Sequence, residues 1–222
     1  MDKKLKKEIL NYLFGFVTKN KKEKIENVVE QRTRRVTVVL EDIFQQHNAS
    51  AVIRSCECFG VQDIHVIEKR NAFSPINGVA KGSAKWMTFY NYKNTPGCLN
   101  SLKQDDYKIV ATVPHKKSYS LSQLPIDEKI ALVFGTEATG LSDEVMDLAD
   151  EFITIPMYGF TESFNISVSV AVCLYDILHR LRDSDIDWKL SQDEILDVKL
   201  DWARKVVINS QLLEQRFLKE KK

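Results

Sequence analysis

The sequence predicts an α/β fold, a mostly parallel sheet with helices on both faces, and three observations predict it. Short runs rich in β-branched residues recur along the chain: VTVVL (36–40), IHVI (64–67), KIVATV (108–113), IALVF (130–134) and EFITI (151–155). They lack polar alternation, as strands buried on both faces do. Helix-like segments at 49–59, 97–104, 142–149 and 165–182 lie between or after them, and strand alternating with helix is the order of a parallel sheet.

Taken in order, the chain begins with about thirty residues that read as amphipathic helix. Residues 1–35 carry eleven Lys or Arg against five Asp or Glu, so the overall net charge of +1 conceals a basic arm on a slightly acidic body. Such an arm suits an anionic partner, nucleic acid foremost, or is a solvated tail. The first strand leads into HNASAVIR (47–54). Asn48 is expected to cap a helix by accepting the Ala51 N–H, and about 100° per residue places Ser50, Arg54 and Glu57 on one polar face. That is a cap plus a surface Arg54–Glu57 pair worth little, except that loops after parallel strands are where α/β sheets bind ligands.

The fourth run feeds GTEATGL (135–141), with Glu137 between two glycines. It has neither the Gly-Lys-Ser/Thr ending of a phosphate loop nor the G-x-G-x-x-G dinucleotide spacing. Ser142 and Asp143 are placed to cap the next helix, with Asp143 and Glu144 at its positive end. The fifth strand stops at Pro156, and a loop with Gly159, Thr161, Glu162, Ser163 and Asn165 enters segment 165–182, which is apolar or small nearly all round for three turns. Such a helix is expected to be buried on several sides. Ser163 or Asn165 could be its N-cap; the surplus hydrogen-bonding groups need partners, which a ligand or second subunit would supply. After RDSDID the chain reads as one or two amphipathic helices. The expected division is a basic helical extension (1–35), an α/β domain (36–182) and a C-terminal helical extension (183–222).

Several classes are excluded. No apolar run reaches the roughly 20 residues of a membrane helix, and no small-residue cleavage site follows the first apolar stretch, so a cytoplasmic protein without membrane partners is expected. Cys56, Cys58, Cys98 and Cys173 form no C-x-x-C pair and His47, His65, His115 and His179 lack ligand spacing, which argues for reduced thiols and no metal. No Ser-His-Asp order or carboxylate dyad supports hydrolysis.

Together, N-x-x-x-x-x-R (48–54), F-G-x-E-x-x-G-L-S (134–142) and I-P-M-x-G-F-x-x-S-F-N-I-S (155–167) resemble, in order and spacing, the three motifs of the SpoU-type RNA ribose 2′-O-methyltransferases of the SPOUT superfamily. The resemblance covers about residues 36–182, and the flanking helices with the R-x-R-R approach look like the TrmH-like branch that methylates the D-loop guanosine of tRNA. It implies a C-terminal trefoil knot, S-adenosyl-L-methionine held in the knotted loops, a tRNA substrate and a homodimer with helix 165–182 at its interface. By position, Asn48, Arg54, Glu137, Ser163 and Asn165 fall on the family's catalytic set. Thr112, Phe134, Gly135, Gly140, Ile155, Met157 and Phe164 fall on or beside its cofactor positions. Arg32, Arg34 and Arg35, with Arg180 and Arg182 near the end of the long helix, are assigned to RNA; the last two are offset from the family's basic pair, whose aligned places hold His179 and Leu181. Arg54 is expected to grip the phosphate beside the target ribose as a two-pronged donor, oriented by Asn48. Two other readings stay open: methylation of ribosomal RNA by the same chemistry, and a non-catalytic RNA-binding factor on this fold.

Overall fold

The computed structural model describes residues 1–43, 45–71, 73, 82–114, 119–136 and 139–221. The chain divides into two units: Thr33–Trp188, and a second made of Met1–Arg32 with Lys189–Lys222.

The first unit is a seven-stranded sheet of β1 (Val36–Glu41), β2 (Asp63–Ile67), β3 (Thr88–Tyr92), β4 (Tyr107–Thr112), β5 (Tyr119–Ser120), β6 (Lys129–Phe134) and β7 (Glu151–Thr154) in the order β3-β2-β1-β6-β4-β7-β5. Every pairing is parallel, with Val38 opposite Ile64 on one side and Leu132 on the other. The α/β expectation therefore holds, with two strands beyond those the sequence patterns indicate.

Helices α3 (Gln46–Phe59) and α6 (Ile166–Arg182) cover one face, α4 (Thr95–Gln104) and α5 (Asp143–Leu148) the other. Strand periodicity decides which residue goes where. Val36, Val38 and Leu40 pack with Val52, Ile53 and Cys56 of α3 and with Val170, Leu174 and Ile177 of α6. Val39, Ala131 and Val133 pack with Cys98, Leu99 and Leu102 of α4 and Val145 of α5. Burial on both faces is why these strands read as unbroken apolar runs.

The order reverses beside β1: β2 and β3 extend the sheet one way, while β4, β5, β6 and β7 build it the other way, with β6 returning between β1 and β4. A reversal of this kind opens a crevice at the C-terminal ends of the strands.

Three local expectations are corrected. Helix α3 starts at Gln46, with Gln45 as N-cap and no side-chain cap bond, so Asn48 lies inside the first turn rather than capping it. Ser142 is the N-cap of α5, yet its side chain makes no cap bond; its hydroxyl donates to Glu41 instead. Helix α6 is buried along one face only, its other face leaving Tyr175 62% and Val168 43% exposed.

The second unit contains α1 (Lys3–Phe14), α2 (Lys19–Val29), α7 (Gln192–Val206) and α8 (Ser210–Glu220). Ile9, Leu13, Ile25, Val29, Leu196, Leu200 and Trp202 are buried in it. Asp2 and Thr18 cap α1 and α2, and a Ser191/Glu194 capping box starts α7, which satisfies the orphan N–H groups of these helix starts. Ion pairs Lys3–Asp193, Lys6–Asp197 and Lys221–Glu8 join the N-terminal helices to α7 and the end of α8. The two extensions thus form one body, bounded at 32 and 189 rather than at 35 and 183. Among the described residues no helix is long and apolar enough to cross a membrane.

Candidate cofactor and RNA site

The loops after β1, β4, β6 and β7 surround a cavity of about 690 Å³, within the size range of small-molecule sites. Its β6 wall is a closed loop. Thr136 N–H donates to the Gly140 carbonyl at 3.1 Å and Gly140 N–H returns the bond to Thr136 at 3.0 Å. The close pass explains both glycines. A Cβ on Gly135 would lie 2.2 Å from the Gly140 oxygen, and Gly140 has φ +69°, where side chains are strained. Below the loop, the Thr112 hydroxyl donates to the Val133 carbonyl at 2.9 Å and ties β4 to β6.

The β7 wall ends in Asn165, the N-cap of α6. Its Oδ1 accepts from the Ser167 N–H at 2.9 Å and the Ser167 hydroxyl at 2.6 Å, while its Nδ2 donates to Asn48 Oδ1 at 3.2 Å. Asn48 Nδ2 donates on to Gln45 Oε1 at 3.1 Å. One amide chain therefore links the starts of α3 and α6 across the cavity. Cys173 also lines the cavity, but burial pushes its thiol up to about 12, so at neutral pH it is no thiolate nucleophile.

The sequence-derived residues distribute as follows. Thr112, Phe134, Gly135, Gly140, Ile155, Met157 and Phe164 all line the cavity, as do Asn48, Ser163 and Asn165. Glu137 lies outside the described residues. Arg54 is exposed on α3, away from the cavity lining, and has no hydrogen-bond or ion-pair partner among the described residues. The expected Arg54–Glu57 pair is thus not formed.

The arginines assigned to RNA are engaged in the fold. Arg32 is 1% exposed, with its guanidinium 5.2 Å from the Trp202 ring centre. Arg34 Nε donates to Asp63 at 2.8 Å, and Arg35 donates to the Asp127 carbonyl. Arg180 holds Asp176 and the carbonyls of Leu124 and Leu121 at 2.9, 2.8 and 3.1 Å. Arg182 donates to the Phe59 carbonyl at 2.6 Å and lies over Trp188. Buried Arg32, and Arg180 and Arg182 with donors on neighbouring backbone carbonyls, brace the fold.

Sequence reading passed over a group at the end of β1. Glu41 is buried, and burial alone would raise its carboxyl; hydrogen bonds from Ser142, Thr95 and Lys69 outweigh that and hold it below the usual carboxylate range. An acidic pair, Glu41-Asp42, closing a buried strand is the signal that could have found it.

Comparison with known proteins places this geometry in a family. The model of the SpoU rRNA methylase family matches residues 35–175. The chain belongs to the SpoU methylase family. A Borreliella burgdorferi relative named tRNA (guanosine(18)-2′-O)-methyltransferase is 48% identical over 205 residues, 92% of this chain and 94% of the relative. The crystal structure of an Aquifex aeolicus TrmH/SpoU tRNA modifying enzyme superposes with a TM-score of 0.77 at 29% identity, covering 86% of this chain and 98% of that one. The SpoU methyltransferase AviRb of Streptomyces viridochromogenes, crystallised with AdoMet, shares the fold at a TM-score of 0.62 and 18% identity, over 71% of this chain and 65% of that one.

Proposed function

We propose that this member of the SpoU methylase family transfers a methyl group from S-adenosyl-L-methionine to the ribose 2′-oxygen of guanosine 18 in tRNA. The observation that carries the reading is one cavity built by all three motif loops, in a chain that spans 94% of a tRNA (guanosine(18)-2′-O)-methyltransferase at 48% identity.

The cavity suits this cofactor: Phe134, Leu141, Ile155 and Met157 offer apolar walls, and the tight Gly135–Gly140 turn leaves backbone approachable where side chains would block it. When bound, S-adenosylmethionine supplies an electrophilic methyl on a sulfonium. The chain's part is to hold the reactants in line and exclude water, which is where much of the rate of such a transfer originates. Asn165 and Asn48 fix the mouth of the cavity through their amide bond. Arg54 grips an RNA phosphate: guanidinium groups in proteins keep their proton and present a planar fork of donors, which suits anion binding better than proton abstraction.

The working unit is a homodimer in this reading. Ala51, Ser55 and Phe59 of α3 with Val168, Val172 and Tyr175 of α6 line a shallow, largely apolar groove that a second copy would cover. Arg54 stands between Ala51 and Ser55 in the chain, so pairing sets it at the edge of the joined surface. The exposed lysines of α1 and α2 add phosphate contacts, and the C-terminal part of the α/β unit forms a trefoil knot. The protein works in the cytoplasm, in keeping with four free cysteines.

The deciding experiment maps 2′-O-methylation on tRNA and rRNA transcripts with labelled cofactor and on host tRNA with and without the protein. A mark at tRNA guanosine 18 supports the reading. A mark on rRNA alone replaces the substrate, and absence of cofactor binding by calorimetry overturns the enzyme.

A further inference from the structure

The cavity loop after β6 is held at its far end by a residue from another strand. Glu41, the last residue of β1, is 3% exposed. Its Oε1 accepts from Ser142 Oγ at 2.6 Å and Thr95 Oγ1 at 2.6 Å, with Lys69 Nζ at 3.1 Å, and its Oε2 accepts from the Ser142 backbone N–H at 2.9 Å. Ser142 follows directly on Gly140 and Leu141, which wall the cavity. The near end of the loop is fixed by β6 itself, whose Phe134 pairs in register with Leu40. Two adjacent residues of β1 therefore set both ends of the loop, Leu40 through the sheet and Glu41 through its side chain.

The next residue braces the clamp. Asp42 adopts φ 53°, a conformation that costs free energy in any residue but glycine. Its Oδ1 accepts the N–H groups of Lys69, Arg70 and Asn71 at 3.1, 2.8 and 2.9 Å. That fixes the backbone from which Lys69 reaches back to Glu41 and to Glu144 of α5.

We propose that Glu41 is a positioning residue for methyl transfer: braced by Lys69 and Asp42, its carboxylate holds Gly140–Ser142 in the shape that receives S-adenosylmethionine. The role rests on the methyltransferase reading, and it acts through the loop rather than on the reacting atoms. Both carboxylate oxygens face a donor that cannot accept, the Ser142 N–H on one and Lys69 Nζ on the other, so a glutamine turned either way sets its NH₂ against one of them and leaves both groups unpaired. Thr95 supplies an internal control, because its hydroxyl bonds the same carboxylate but it lies outside both the Gly140–Ser142 loop and the cavity lining.

The test compares full-length Glu41→Gln, Ser142→Ala and Thr95→Val by calorimetry with S-adenosylmethionine, by steady-state kinetics on tRNA, and by amide hydrogen exchange without cofactor. Glu41→Gln weakens cofactor binding about tenfold and Ser142→Ala about threefold, the range spanned by the net worth of one ordinary hydrogen bond, since the clamp acts on the cofactor only through the loop. The loss falls on KM for the cofactor while kcat at saturation stays near the parent value, and exchange quickens at Gly140 and Ser142. Thr95→Val moves neither readout, even where it lowers the melting temperature. Should Glu41→Gln fail to fold, Ser142→Ala against Thr95→Val carries the comparison. Cofactor affinity of Glu41→Gln within about twofold of the parent, less than one lost hydrogen bond, or equal losses in Ser142→Ala and Thr95→Val, overturns the proposal. If the parent binds no S-adenosylmethionine, the methyltransferase reading fails separately, and unchanged exchange at Gly140 and Ser142 in Glu41→Gln still refutes the clamp.

Discussion

Two sets of arginines divide this chain. Arg54 stands exposed on α3 with no partner among the described residues, whereas Arg180 and Arg182 direct their donors at backbone carbonyls of Leu121, Leu124 and Phe59. All three look alike in the sequence, a basic residue on an amphipathic helix. The difference teaches that a guanidinium's task is set by what its fork already holds. One whose donors already hold backbone carbonyls is a bolt in the fold, and one whose donors are vacant is available to an anion.

The contrast can be broken most directly at Arg54. Arg54→Ala should lower kcat/KM on tRNA by about 10–10²-fold, the loss of a charge-assisted hydrogen bond to phosphate, with no change in melting temperature. Arg54→Lys should be as damaging, because an ammonium cannot reproduce a two-pronged contact; near-normal turnover in the lysine variant would end the phosphate-fork idea. Arg180→Met should do the converse. Leaving the Leu121 and Leu124 carbonyls without donors should cost about 1–3 kcal/mol in denaturant unfolding, with tRNA affinity unmoved. A tRNA-binding defect at unchanged stability would put Arg180 back on the RNA.

A smaller effect is expected from pH. The folded-state carboxyl of Glu41 lies below its ordinary value, so it contributes stability above its unfolded value of about 4.3, and that contribution is lost as pH falls through its lower folded value. The stability gap between parent and Glu41→Gln should therefore be largest near neutral pH and close in acid; a gap independent of pH would contradict the charge-based account. Smallest is the change expected from exposed Lys4 and Lys7 of α1. Replacing both with Gln should reduce the slope of log affinity for tRNA against log salt by about 1 for each phosphate that a lysine had neutralised. An unchanged slope would leave those lysines as solvent-facing charge.

Much of the fold was legible because burial on both faces writes itself as unbroken β-branched runs, which is true of β1, β2, β4 and β6, whereas β7 buries only Ile153. Edge strand β3 escaped because Thr88–Tyr92 is half exposed and carries polar and aromatic residues, and β5 is only two residues long. The cavity loops were legible through local spacing, since each motif is contiguous. Longer-range pairings were not. Glu41 and Ser142 are 101 residues apart, and nothing local announces that β6 will return beside β1. Asn48 was misread for a related reason: helix propensity alone cannot tell a capping amide from one that reaches across to Asn165, 117 residues on.

The helical unit is assembled from the two ends of the chain, with Thr33–Trp188 between them. During synthesis, α1 and α2 emerge with the apolar faces of Ile9, Leu13, Ile25 and Val29 uncovered, and their covering helix α7 begins only at Gln192. At roughly 5–20 residues per second that wait lasts on the order of 10–30 s. The sheet unit is synthesised inside that interval, so α7 and α8 close a body whose first half has been waiting.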